Sequence, residues 1–125
     1  MSPPESVHAL AVDKLRAPGV TFWSAWAGDT IAGCCALKLL DAERGELKSM
    51  RVADAFLGQG VGRAMVDHLL AEARARGLRS LWLETGSTPE FTPALRLYES
   101  AGFRRCGPFE GYVEDRFSIF MTREV

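Results

Sequence analysis

Val52-Ala53-Asp54-Ala55-Phe56-Leu57-Gly58-Gln59-Gly60-Val61-Gly62-Arg63 is the stretch on which the fold turns. Before it, Glu46 to Val52 has the composition of a strand, with Leu47, Met50 and Val52 as its inward or ligand-facing groups. After it the period changes. From Gly60 to Arg76, the residues Val61, Met65, Leu69 and Ala73 recur along one helical stripe, which Val66 and Leu70 widen, and Gly77 supplies a stop. Gly58, Gly60 and Gly62 therefore stand between a strand and a helix N-terminus. Without β-carbons in the way, their backbone N–H groups can converge, and the free amides of the first helical turn point in the same direction. Such a cradle suits a phosphate or pyrophosphate. Arg63 adds a cation, although its side chain is equally suited to solvent. Two familiar nucleotide loops fit poorly. A P-loop needs Gly-Lys-Ser/Thr where this chain has Gly62-Arg63-Ala64. The dinucleotide fingerprint needs a glycine where Arg63 stands. The structural alternative is a connection whose glycines serve close packing only, at a cost of about 0.5–1 kcal/mol each in an ordered element.

Working outward, Val20 to Ala27 and Thr30 to Leu40 predict an antiparallel hairpin about Gly28-Asp29, rich in residues that suit a pleated surface. Asp41 to Gly45 is the next turn. Beyond the long helix, Ser80 to Thr85 is a strand, Pro93 to Ser100 a short helix, and Phe103 to Cys106 a further strand. Phe117 to Met121 is the last, with Phe117, Ile119 and Met121 on one face. Residues 1–18 begin loosely and then turn weakly helical, with Val7, Leu10, Val12 and Leu15 on one side before Pro18-Gly19. The order is helix, three strands, helix, strand, helix, two strands. It defines an α/β (α+β) class with a mixed sheet, in one domain spanning 1–125.

Composition narrows the function. The chain has 125 residues, 47% of them hydrophobic and 25% charged, which fits a globular domain with a core. Fifteen basic against sixteen acidic residues give a net charge of -1, without the basic surplus of a general nucleic-acid binder. No apolar run approaches the roughly 18 residues of a membrane span. The opening Met1-Ser2-Pro3-Pro4-Glu5 is not a signal peptide. The three cysteines, Cys34, Cys35 and Cys106, have no metal spacing and are expected to be reduced thiols of a cytoplasmic protein that serve packing.

Two motifs carry a resemblance. The segment from Glu46 to Ala75 resembles the acetyl-CoA-binding core of the GCN5-related N-acetyltransferases (GNAT). The family's Arg/Gln-x-x-Gly-x-Gly/Ala loop aligns with Leu57-Gly58-Gln59-Gly60-Val61-Gly62. Ala94-Leu95-Arg96-Leu97-Tyr98-Glu99-Ser100-Ala101-Gly102-Phe103 is similar to the family's A-x-x-L-Y-x-x-x-G-F. The likeness extends over roughly residues 20 to 123 and is greatest to a bacterial subgroup of small acetyltransferases. It implies a mostly antiparallel, twisted sheet flanked by helices. It also implies acetyl-CoA as cosubstrate without a metal, held by Met50, Arg51, Val52 and the loop from Leu57 through Gly58, Gln59, Gly60, Val61 and Gly62 to Arg63. Two positions depart from the pattern. Leu57 replaces Arg or Gln, and Phe91 stands where many members have an Asn that contacts pantetheine. The chain also looks short at its front, so the fold's first strand is expected to be missing. That would leave a sheet edge bare for another segment or a second copy to cover.

The resemblance implies direct acetyl transfer to a primary amine of a small molecule or peptide, with no nucleic acid or membrane as partner. Tyr98 then matches the family tyrosine that lies near the CoA sulfur as general acid. The Val52 N–H is a candidate oxyanion donor. Glu84, a carboxylate in mid-strand, and Glu46, at the start of the partner strand, are the candidate general bases; the alternative for Glu84 is a structural hydrogen bond or salt bridge, and for Glu46 a solvated strand end. His68 is expected to pack or face solvent. Trp23, Trp26, Phe91, Phe109 and Tyr112 are candidates for an acceptor pocket or for the core. The alternatives to an enzyme are a noncatalytic acyl-CoA-binding or regulatory module and a purely structural domain.

Overall fold

The apolar stripe after the glycine loop forms helix α1 (Val61–Ala75), and Val61, Met65, Val66, Leu69, Leu70 and Ala73 are all buried. Burial of each large apolar side chain contributes about 1.5–3 kcal/mol, which outweighs the roughly 1 kcal/mol that Gly62 costs in the first turn. The helix stops in a Schellman arrangement. Leu78 N–H donates to Ala73 O (3.0 Å) and Gly77 N–H to Arg74 O (3.1 Å), while Gly77 takes φ +77°.

The computed structural model describes residues 6–10 and 19–125. Its strands are β1 (Ser6–Leu10), β2 (Val20–Ala27), β3 (Thr30–Leu39), β4 (Arg44–Val52), β5 (Ser80–Gly86), β6 (Arg104–Cys106) and β7 (Ser118–Glu124). They make one sheet of seven strands in the order β1-β2-β3-β4-β5-β7-β6. Neighbours are antiparallel except β4 and β5, which are parallel and joined through α1. A parallel pair needs such a crossover because the chain must return to the same end of the sheet. A second helix, α2 (Thr92–Ser100), follows β5. The main core lies between α1, α2 and the sheet, around Leu37, Leu47, Leu81, Leu83 and Met121.

Three sequence expectations change. The first strand is present, not missing: Ser6 to Leu10 pairs along β2 from Trp26 to Phe22. Val7 and Leu10, assigned above to a weak helix, lie on that strand, whereas Val12 and Leu15 fall outside the described residues. The reason is tertiary. The outer edge of β2 offers a row of backbone hydrogen bonds, and pairing with it overrides a weak local helical pattern. With β1 in place, the argument for a second copy covering the β2 edge no longer applies. The last strand also differs. It runs from Ser118 to Glu124, and Phe117 precedes it, 56% exposed, with the Arg116 guanidinium 4.7 Å from its ring centroid. Both faces of β7 are covered: Met121 is buried in the main core, and Phe120 is buried beneath Phe109 and Tyr112.

Candidate active site

β4 and β5 stay paired only where Arg44, Gly45 and Glu46 face Ser80, Leu81 and Trp82. Beyond that point they part. The cause is on β4. Ser49 takes φ +55°, and the register against β3 slips so that Cys34 faces Arg51 while Ala36 faces Lys48. Ser49 and Met50 thus share the place opposite Cys35. A bulge of this kind bends its strand and increases its twist. The parted strands bound a cleft of about 1000 Å³, which the glycine loop and α2 complete. Met50, Arg51 and Val52 line its β4 side. Ala53 N–H donates to Ala32 O at 2.8 Å. Antiparallel ladders alternate, so at the preceding pair, Gly33 and Val52, the Val52 N–H turns away from β3 and toward the side that β5 has vacated.

At one end of the cleft lies the glycine loop. Gly58 (φ +74°) and Gly60 (φ +84°) hold left-handed backbone that other residues adopt at a cost. The first helical amide to find a carbonyl is Ala64 N–H, on Gly60 O at 3.0 Å. None of the amides from Gly58 to Arg63 donates to a backbone carbonyl of the described residues, which leaves them free for an anion. Gly62 has a second duty, since a β-carbon there would stand 2.9 Å from Leu97 Cδ2 on α2. Packing and cradle therefore coexist in this loop. The Gln59 side chain is turned back, its Nε2 donating to Ala55 O (3.2 Å), so it shapes the loop. Arg63 borders the cleft, but its guanidinium bonds Asp67 (3.1 Å) and Ser100 Oγ (3.3 Å). Leu57 is 60% exposed at the lip. Phe91 also lines the cleft and leans on Gly86, where a β-carbon would come within 2.3 Å of its ring.

Tyr98 is placed by the way α2 ends. Phe103 N–H donates to Tyr98 O and Gly102 N–H to Glu99 O, both at 3.0 Å, with Gly102 at φ +92°. The Tyr98 and Phe103 rings meet edge to face at 5.9 Å. The pattern Tyr-x-x-x-Gly-Phe is thus a Schellman cap with its accompanying apolar contact. The tyrosine is 6% exposed and borders the cleft. Burial, with a smaller effect of the nearby Cys35, pushes its hydroxyl up to about 12, so it remains a proton donor throughout the physiological range. Burial also pushes the Cys35 thiol up to about 12, which suits packing and not nucleophilic attack.

Both candidate glutamates border the cleft, one on each strand. Glu46 is 2% exposed. Its Oε2 accepts the Tyr112 hydroxyl at 2.7 Å, and Lys48 Nζ lies 3.6 Å away. Glu84 is exposed, and its Oε2 accepts the Ser118 hydroxyl at 2.8 Å. Of the aromatic candidates, Phe91 and Tyr112 reach the cleft, joined by Phe117. Phe109 is buried beneath Tyr112 (5.1 Å between ring centroids). Trp23 and Trp26 belong to the far part of the sheet, where Trp23 packs against His68 (5.2 Å). Sequence reasoning missed the Ser49 bulge and the Tyr112–Glu46 bond. A serine gives no signal for positive φ, and the bond spans 66 positions. Among the described residues no cluster of three His, Cys, Asp or Glu side chains could hold a metal ion. No described helix is long and apolar enough to cross a membrane.

A sheet that splits at a parallel pair, beside a glycine loop with unbonded amides, brings the two sequence motifs to one cleft. The profile of the Acetyltransferase (GNAT) family matches residues 2–103. The chain is 54% identical over its whole length to the uncharacterised N-acetyltransferase YsnE of Bacillus subtilis, covering 83% of that protein. It is 51% identical to the uncharacterised N-acetyltransferase YedL of Escherichia coli, over 97% of this chain and 76% of that one. A GNAT family acetyltransferase of Elizabethkingia anophelis, solved with acetyl-CoA bound, shares the fold at a TM-score of 0.78 and 22% identity, over 96% of this chain and 97% of that one. The chain belongs to the GNAT family of acetyl-CoA-dependent N-acetyltransferases.

Proposed function

We propose that the protein moves an acetyl group from acetyl-CoA to a primary amine of a small molecule or peptide, by direct attack while both are bound, within a single domain. The observation that carries this is the wedge between β4 and β5: free amides at one end, and Tyr98 with the carboxylates of Glu46 and Glu84 among the groups along its walls. Acetyl-CoA supplies the thioester. In this assignment the amides from Gly58 to Arg63 bind its pyrophosphate, and the backbone of Met50, Arg51 and Val52 binds the pantetheine arm. The Val52 N–H faces the acetyl oxygen and stabilises the charge that develops there. Glu46 or Glu84 takes the proton that the amine loses as its C–N bond forms, directly or through water. Tyr98 Oη gives its proton to the sulfur as the C–S bond breaks. Leu57 and Phe91 replace side-chain polar contacts with apolar ones, so the amides carry the cofactor.

Calorimetry with acetyl-CoA, followed by a thiol-release assay over a panel of amines, tests this. Heat of binding with amine-dependent thiol release is the expected result. Binding without release from any amine would leave a noncatalytic acyl-CoA-binding module, a reading that Leu57 and Phe91 favour. Absence of binding at millimolar ligand would reject both.

A further inference from the structure

Among the described residues Glu46 is the one carboxylate that is buried. Taking a carboxylate out of water costs several kcal/mol unless hydrogen bonds and charges compensate. Lys48, on the same strand, is beyond hydrogen-bond distance at 3.6 Å and its side chain is 39% exposed. The direct hydrogen bond comes from the Tyr112 hydroxyl, in the segment between β6 and β7. That segment is fastened beside Glu46. Glu110 pairs with Arg44 two residues earlier on β4, and Phe109 lies 5.4 Å from Trp82, the residue in register with Glu46 on β5. The Tyr112 ring is held between Phe109 (5.1 Å) and Phe120 (5.6 Å). The phenol is therefore fixed in place and is not a swinging side chain. It occupies Oε2 of a carboxylate that borders the cleft, and Oε1 accepts no hydrogen bond from the described residues.

We propose that Tyr112 is the positioning residue of Glu46: it holds Oε2 so that Oε1 meets the incoming amine, which makes Tyr112 part of the wall of the acceptor site, with Phe109 and Glu110 as the anchors behind it. This rests on the acetyl-transfer function proposed above, and it selects Glu46 over Glu84 as the group that receives the amine's proton. The charged and titratable groups about Glu46 are Tyr112 from this segment, Lys48 on β4, Lys38 opposite it in register on β3, and Glu84 on β5.

Tyr112→Phe removes the hydroxyl and keeps the ring packing. The variant is expected to lose about 10- to 100-fold in kcat/KM for the amine, the worth of a hydrogen bond to a charged group, with acetyl-CoA affinity unchanged. The acid limb of its pH profile moves to higher pH, because a bond favouring the charged carboxylate is gone. Glu46→Gln combined with Tyr112→Phe is no slower than Glu46→Gln alone, since the tyrosine acts only through the glutamate. Multiplying defects, or a single variant with wild-type kcat/KM and pH limb, would overturn the proposal. Should the wild type transfer to no amine in the panel, the titration of the Glu46 carboxyl carbon by NMR, without ligand, decides independently. A midpoint at higher pH in Tyr112→Phe supports the positioning role, and coincident midpoints reject it. Failure of the transferase function appears separately, as wild-type protein that releases no thiol.

Discussion

β5 has two edges and two fates. Toward β7 it is paired through all seven residues, Ser80 to Gly86, and toward β4 through only Ser80, Leu81 and Trp82. The strand is the same, so its own β-propensity cannot explain the difference. The neighbour does. β7 is regular, whereas β4 carries a bulge at Ser49-Met50 that turns its second half away. The closed edge has its backbone groups bonded along the whole strand. The open edge leaves Leu83, Glu84, Thr85 and Gly86 without a strand partner on that side, where they line the cleft. Stability and chemistry are thus divided between two sides of one strand.

The largest expected effect breaks the closed side. Leu81 is fully buried on β5, and Leu81→Ala should cost about 2–5 kcal/mol in urea unfolding. Next comes the open side, where Tyr98→Phe should lower kcat by about 100-fold or more while calorimetry shows acetyl-CoA affinity unchanged. An unaltered kcat would remove the tyrosine from the acid role. The cause of the opening can be tested directly. Ser49→Val places a β-branched residue at φ +55°, at a cost of about 1–2 kcal/mol. Any relaxation of the bulge should also weaken acetyl-CoA binding, and full stability with full affinity would show that Ser49 does not hold the wedge open. The smallest effect lies where the pair is still closed. Asp41 is held below its ordinary range, first by its hydrogen bond with Arg44 and then by the Glu43 N–H. A depressed carboxylate stabilises the fold above its unfolded titration range, and that contribution disappears as pH falls through the folded value. The difference in melting temperature between wild type and Asp41→Asn should therefore be small near neutrality, because the pair is exposed, and should shrink as pH falls below the ordinary carboxylate range.

Legibility followed the range of the interactions. α1 could be read because one helical stripe from Val61 to Ala73 repeats a local period. The β2–β3 hairpin was legible at Gly28-Asp29, where Gly28 takes φ +60°. Tyr98 was found through a motif whose physical content is a cap made within six consecutive residues, Tyr98 to Phe103. β1 was misread because five residues with a faint pattern become a strand only when β2 offers its edge. Of the two glutamates, sequence suggested both. Their different surroundings, one buried under a phenol and one exposed beside a serine, depend on partners 66 and 34 positions away.

By itself, the sequence determined the elements with strong local signals: the helix period, the glycine loop, and the Gly-Phe cap that carries the tyrosine. Only the tertiary structure decided that β4 would bend at Ser49, that β5 would be left half unpaired, and that Tyr112 would reach Glu46. Backbone periods and turn chemistry are written in neighbouring residues, whereas a bulge, an open edge and a buried carboxylate's partner depend on what distant segments bring beside them.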